Sequence, residues 1–163
     1  MPSLADTSHG HHGRIAEHVD RLPHIADSIG RVDLLTLRAE FAPEYAFIAG
    51  RLVRHMAATE TSLYGPLEQL MAGRHSMAPM RREHEELARL VDALGDYAAK
   101  IEDGTLDRDD GIGLRRALYR LHSIVKVHLA EEDLYLGVLD RNLTEQEKDE
   151  IVRSFVRACE QPL

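Results

Sequence analysis

The chain of 163 residues has no tryptophan, three phenylalanines and one cysteine, and no run of it approaches the roughly 20 apolar residues that a bilayer span requires. Each shortage excludes something. A lone Cys159 closes no disulfide within the chain, and no signal-peptide core opens it, so a reducing cytoplasm is the expected compartment. Aromatic residues make up only 5%, and alternating β-branched segments are scarce, which speaks against a sheet. Basic residues are outnumbered, 20 Lys and Arg against 28 Asp and Glu, and the net charge of −8 argues against nucleic acid or an anionic membrane as partner. One domain of ordinary size, with enough apolar residues for a core, fits this length.

What the chain does have is ten histidines. His9, His11 and His12, set among Gly10 and Gly13, read as part of a flexible polar tail over residues 1–13, with at most loose metal scavenging. Beyond it the apolar residues recur in threes and fours, the period of amphipathic helices. The first stripe is Ile15, His18, Leu22, Ile25 and Ile29, ending at Gly30, with Pro23 predicting a kink above His18. After a connecting segment over 31–42, the second begins near Pro43 and runs Tyr45, Ile48, Leu52, His55, Thr59 and Leu63, broken at Gly65-Pro66, with a short extension over 67–72. The third starts near Ser76 and carries Met77, Met80, His84, Leu87, Val91, Leu94 and Ile101 before Gly104. The fourth, from about Asp107, carries Leu114, Leu118, Leu121, Val125, His128 and Glu132. Thr144-Glu145-Gln146-Glu147 is a capping box and announces a fifth helix covering the bundle. The fold expected is all-α: an up-down-up-down four-helix bundle over residues 14–140, with a C-terminal helix in 141–163 packed on it.

His128 and Glu132 lie about 40° apart on one helical face. Burying a base and an acid in an apolar stripe is costly unless each finds a partner, and a metal ion serves both. A single histidine in such a stripe is usually a core residue bonded to a carbonyl. Four of them, His18, His55, His84 and His128, at matching distances from the turns of four antiparallel helices, point instead to a metal centre inside the bundle.

The order His18, His55 with Glu60, His84, and His128 with Glu132 resembles the hemerythrin-like HHE cation-binding domains, over residues 15 to 140. The resemblance implies a non-haem di-iron centre, oxo- or hydroxo-bridged and held by two carboxylates, with His18 and His55 on one iron and His84 and His128 on the other. Zinc or another divalent metal is the alternative occupant. Two positions depart from the family pattern. Four residues after His55 stands Thr59 rather than Glu, and Glu60 lies about 140° round an ideal helix, so a π-bulge between His55 and Glu60 would be needed to aim it inward; otherwise it is a solvated or outer carboxylate. Asp133 is the alternative to Glu132. The second departure is Ala88, where oxygen carriers have a further histidine, which leaves one metal an open position.

A site walled by Ile48, Leu52, Met56, Leu87, Val125 and Leu129 admits O2, peroxide or nitric oxide but no metabolite. The expected function is binding of, or reaction with, O2 or a small oxidant in sensing, storage or detoxification, with an electron-donor or signalling protein as partner. A peroxide or nitric oxide reductase is one alternative; a metal-poor or single-metal interaction domain is the other. His24 and His122, each six residues from a ligand position, read either as an outer pair flanking the centre or as partly exposed polar residues. His75 reads as loop surface. Tyr64, Tyr119 and Tyr135 read as packing residues, with a phenolate as the substitute for a missing carboxylate on ferric iron.

Overall fold

Proline and the widened helical turns around it govern how the second long rod of this protein is built. The computed structural model describes residues 4–72, 74 and 76–160, with side chains from residue 10 onward, and among these every regular element is helical. Helix α1 spans Leu4–Val19, and after a turn at Asp20-Arg21 helix α2 spans Leu22–Ser28, with Pro23 in its first turn where a missing N–H costs nothing. The break forecast at Pro23 is therefore present. The expected tail is not: residues 4–13 belong to α1, because Ile15 and Val19 are buried and His12 continues their line one turn earlier. Gly30, at φ 78°, supplies the left-handed residue that ends this pair.

The supposed connecting segment is also helical. Asp33 caps α3 (Leu34–Phe47) by accepting from the Thr36 N–H, and Pro43 lies inside this helix rather than at its start. A π-helical turn at Ile48–Leu52 leads into α4 (Val53–Thr59), and a second at Glu60–Tyr64 leads into α5 (Gly65–Leu70). Gly65-Pro66 does not break the rod, since Pro66 falls in the first turn after a register change. Helix α6 spans Ala78–Glu102 and ends before Gly104, at φ 72°. Helix α7 spans Arg108–Asn142, opened by a capping box between Asp107 and Asp110, and α8 spans Glu145–Glu160, opened by Thr144 and Glu147.

Helix α7 is the common partner, packing on α1, α2 and α6, while α3 packs on α6 and α8 lies against α4 and α1. Two apolar clusters result. One gathers Val19, Leu52, Leu87, Leu94, Leu118 and Leu121; the other gathers Tyr64, Leu67, Met80, Leu136, Leu139 and Phe155. Between them, along α4, α6 and α7, sits a layer of buried polar residues: His55, Thr59, His84, His128 and Glu132. Among the described residues no helix is long and apolar enough to cross a membrane.

Phe155 ties α8 to this arrangement, being 4% exposed and meeting the His55 ring edge-on at a centroid distance of 5.8 Å. Phe155→Ala is expected to cost about 3–5 kcal/mol in urea unfolding. A loss below about 1 kcal/mol would mean that α8 is only loosely laid on the bundle.

Candidate metal centre

Glu132 is 2% exposed, and its two oxygens face in different directions. Oε2 lies 2.9 Å from His55 Nε2 and 3.1 Å from His12 Nε2. Oε1 accepts the Tyr64 hydroxyl at 3.0 Å and lies 3.6 Å from His128 Nε2. His84 Nε2 is 2.9 Å from His128 Nε2 and 3.2 Å from the Tyr64 oxygen. Two groups therefore have ligand atoms close enough to hold a metal ion, His12–His55–Glu132 and His84–His128–Glu132, and they share the one carboxylate.

Of the ligands expected from the sequence, His55, His84, His128 and Glu132 are brought together, and His18 and Glu60 are not. His18 is a turn and a half further along α1 than His12; it stacks on Phe47 at a centroid distance of 3.5 Å and its Nδ1–H donates to Glu44 at 2.5 Å. His12 takes the place in the layer expected for His18. The second π turn begins at Glu60 rather than before it, so Glu60 stays partly exposed and its Oε1 accepts from His84 Nδ1 at 2.7 Å. The residue that the π turn does deliver is Tyr64. Nine positions from His55 it would face the opposite way on an ideal helix, and one inserted residue per turn rotates it back by roughly 100°. Thr59 is fully buried, its hydroxyl donating to the Met56 carbonyl. Asp133 accepts from His12 Nδ1 at 2.8 Å. His24 is exposed, His122 faces Asp20 at 3.6 Å, and Tyr119 donates to Asp27. His75 lies outside the described residues.

Three imidazoles thus have the same outer arrangement: Nε2 inward and Nδ1 on a carboxylate, Asp133 for His12, Glu60 for His84 and Glu83, at 2.8 Å, for His128. Carboxylates so placed fix the ring orientation and make Nε2 a better donor to a metal. Among the described residues the Nδ1 of His55 has no hydrogen-bond partner. The set of imidazoles, carboxylate and phenol fits a first-row transition metal.

A family comparison now bears on this geometry. The hemerythrin HHE cation-binding domain matches residues 3–139. The chain belongs to that family. No curated protein and no solved structure matches it. The hemerythrin-like match begins ahead of His12, so the N-terminal residues that read as a tail are inside the family domain.

Without metal, protons hold the hemerythrin-like centre together. Burial disfavours charge on His12 and His128, yet Glu132, with Asp133 or Glu83, outweighs it and raises both above the ordinary histidine value. Burial and the neighbouring His128 lower His84, so His128 donates to its Nε2 lone pair. Burial works against ionised Glu132, but His55, His12 and His128 bring it well below the ordinary carboxylate value. Burial and Glu132 keep Tyr64 protonated far above the usual phenol range. The raised histidines contribute stability in full below their ordinary 6.5, lost as pH rises through their folded values; the depressed Glu132 contributes above its ordinary 4.5, lost as pH falls through its folded value. His84 and His11, both lowered chiefly by burial, work the opposite way; His12 and His128, each facing two carboxylates, set the direction. The metal-free protein should therefore melt highest in mildly acidic buffer and at lower temperature as pH rises above the ordinary histidine value through the folded values of His12 and His128. Calorimetry in a chelator measures this, and Glu132→Gln should flatten the slope; a flat wild-type profile would count against the protonated arrangement.

Proposed function

We propose that this hemerythrin-like chain is an up-down-up-down bundle holding a non-haem di-iron centre that binds or reacts with O2 or a small oxidant. The observation that carries the reading is Glu132, whose two oxygens each face one histidine pair, as a carboxylate shared by two cations would. His12 and His55 would hold one metal and His84 and His128 the other, with Glu132 available to both. Tyr64 supplies the oxygen donor that Thr59, in the place of the family's glutamate, cannot. The chemistry such a centre would supply when reduced is two electrons for a bound oxidant.

The chain's own residues set the conditions for that chemistry. Asp133, Glu60 and Glu83 accept hydrogen bonds from the Nδ1–H groups and turn the Nε2 atoms inward. Leu87, Val125 and Leu129, all nearly inaccessible, wall the layer and keep bulk water out. Ala88, with no ligand atom where oxygen carriers have histidine, favours reduction of peroxide or nitric oxide, fed by an electron-donor protein in the cytoplasm, as the second reading.

Aerobically purified protein is expected to carry about two irons per chain with oxo-bridge absorption; zinc, or no metal, would sink the proposal. His12→Ala should remove at least one iron, whereas His18→Ala should leave loading unchanged; the reverse would restore His18 as the ligand. Tyr64→Phe should abolish any visible charge-transfer band from phenolate to ferric iron. Glu60→Ala should weaken metal binding by about 10- to 100-fold without removing a ligand atom.

A further inference from the structure

We propose that the cavity behind His55 is a binding site for one small monovalent oxyanion of the carboxylate, nitrite or bicarbonate kind. The argument begins with an asymmetry. His12, His84 and His128 each present Nδ1 to a carboxylate of the chain, whereas the Nδ1 of His55, a residue 2% exposed, meets none among the described residues. What lies there instead is a cavity of about 80 Å³ lined by Arg14, Arg51, Arg54, His11, His55 and Cys159, with two apolar side chains.

Among the described residues no carboxylate lines this cavity, although acidic residues outnumber basic ones along the chain. The buried Nε of Arg54 is likewise without a hydrogen-bond partner among the described residues. Guanidinium groups match planar oxyanions through paired N–H donors, and a buried unpaired donor is a position that a ligand's oxygen satisfies. Burial raises the Cys159 thiol, so it stays neutral and does not compete as an internal anion. The volume has room for a few waters, which suits formate, nitrite or bicarbonate better than a dicarboxylate. Exposed Arg14 and Arg51 form the rim, so the site opens to solvent on the side of α1 and α4. A bound anion would stand to His55 as Glu60 stands to His84, becoming an exogenous outer partner of that ring.

The test is calorimetric titration of the metal-free chain with sodium formate and sodium nitrite, with succinate as the size control. One saturable site is expected for formate and nitrite, and none for succinate. Arg51→Gln changes an exposed residue, so the fold should survive, and is expected to weaken binding roughly tenfold or more; Arg153→Gln, on α8 away from the cavity, should leave it unchanged. No saturable binding in the wild type, equal binding of succinate, or affinity unaltered by Arg51→Gln would each overturn the site. Because no metal is present in the titration, such a failure would leave the metal assignment standing.

Discussion

One ionised carboxylate, Glu132, withdrawn from water in the last third of α7, is the constraint around which the other helices are arranged. An isolated charge there would cost far more than any single contact returns, so it survives only if cations or strong donors surround it. They arrive from separate elements: His12 from α1, His55 from α4, Tyr64 from the π turn after α4 and His128 from α7 itself. Protons on the imidazoles and metal ions are interchangeable answers to the same electrostatic demand. That is why the metal-free arrangement already resembles a ligand set, and why metal must displace protons to enter.

The second rod shows how backbone irregularity serves this demand. Two prolines and two π turns lie within 34–70; Pro43 sits inside α3 itself, but an uninterrupted α-helix to residue 70 would not give Tyr64 its present direction. The widened turn at Glu60–Tyr64 puts Pro66 in the first turn of α5, where its missing N–H costs little, and shifts the phase of the residues downstream. Thr59, where the family has a glutamate, is then packed and silent, and the phenol one turn further on occupies the space beside Glu132.

Much of this was legible in the residues. Apolar periodicity located the long helices, and His55, His84, His128 and Glu132 stand out because each interrupts a stripe that is otherwise Leu, Val and Met. The error at His18 came from phase. Choosing Ile15, His18 and Leu22 as the stripe puts His18 inside, whereas the buried line is Ile15, Val19, Leu22 and Ala26, which leaves His18 on the flank. Extended backwards by one turn, that same line reaches His12. Gly10 and Gly13 masked it, since glycine lowers helix propensity and reads as a tail, but burial of His12 against Glu132 and Asp133 outweighs propensity. The outer position of Glu60 was one of two readings its spacing allowed, whereas the roles of Glu83 and Asp133 were not legible, because they depend on which ring nitrogen faces outward.

Charge is distributed unequally around the centre, and this bears on how each kind of ligand reaches it. On the sides of His12, His84 and His128 the outer residues are partly exposed carboxylates, their side chains 36%, 39% and 32% accessible for Asp133, Glu60 and Glu83. On the side of His55 they are arginines. A divalent cation approaching from solvent is attracted along the carboxylate sides and repelled along the other, whereas an anion experiences the reverse. Neutral O2 responds to neither, so the arginines do nothing to recruit it. Their position behind His55 is better explained by a charged species on that side than by the diatomic ligand itself, which separates the route of the metal from the route of any anion across a single buried layer.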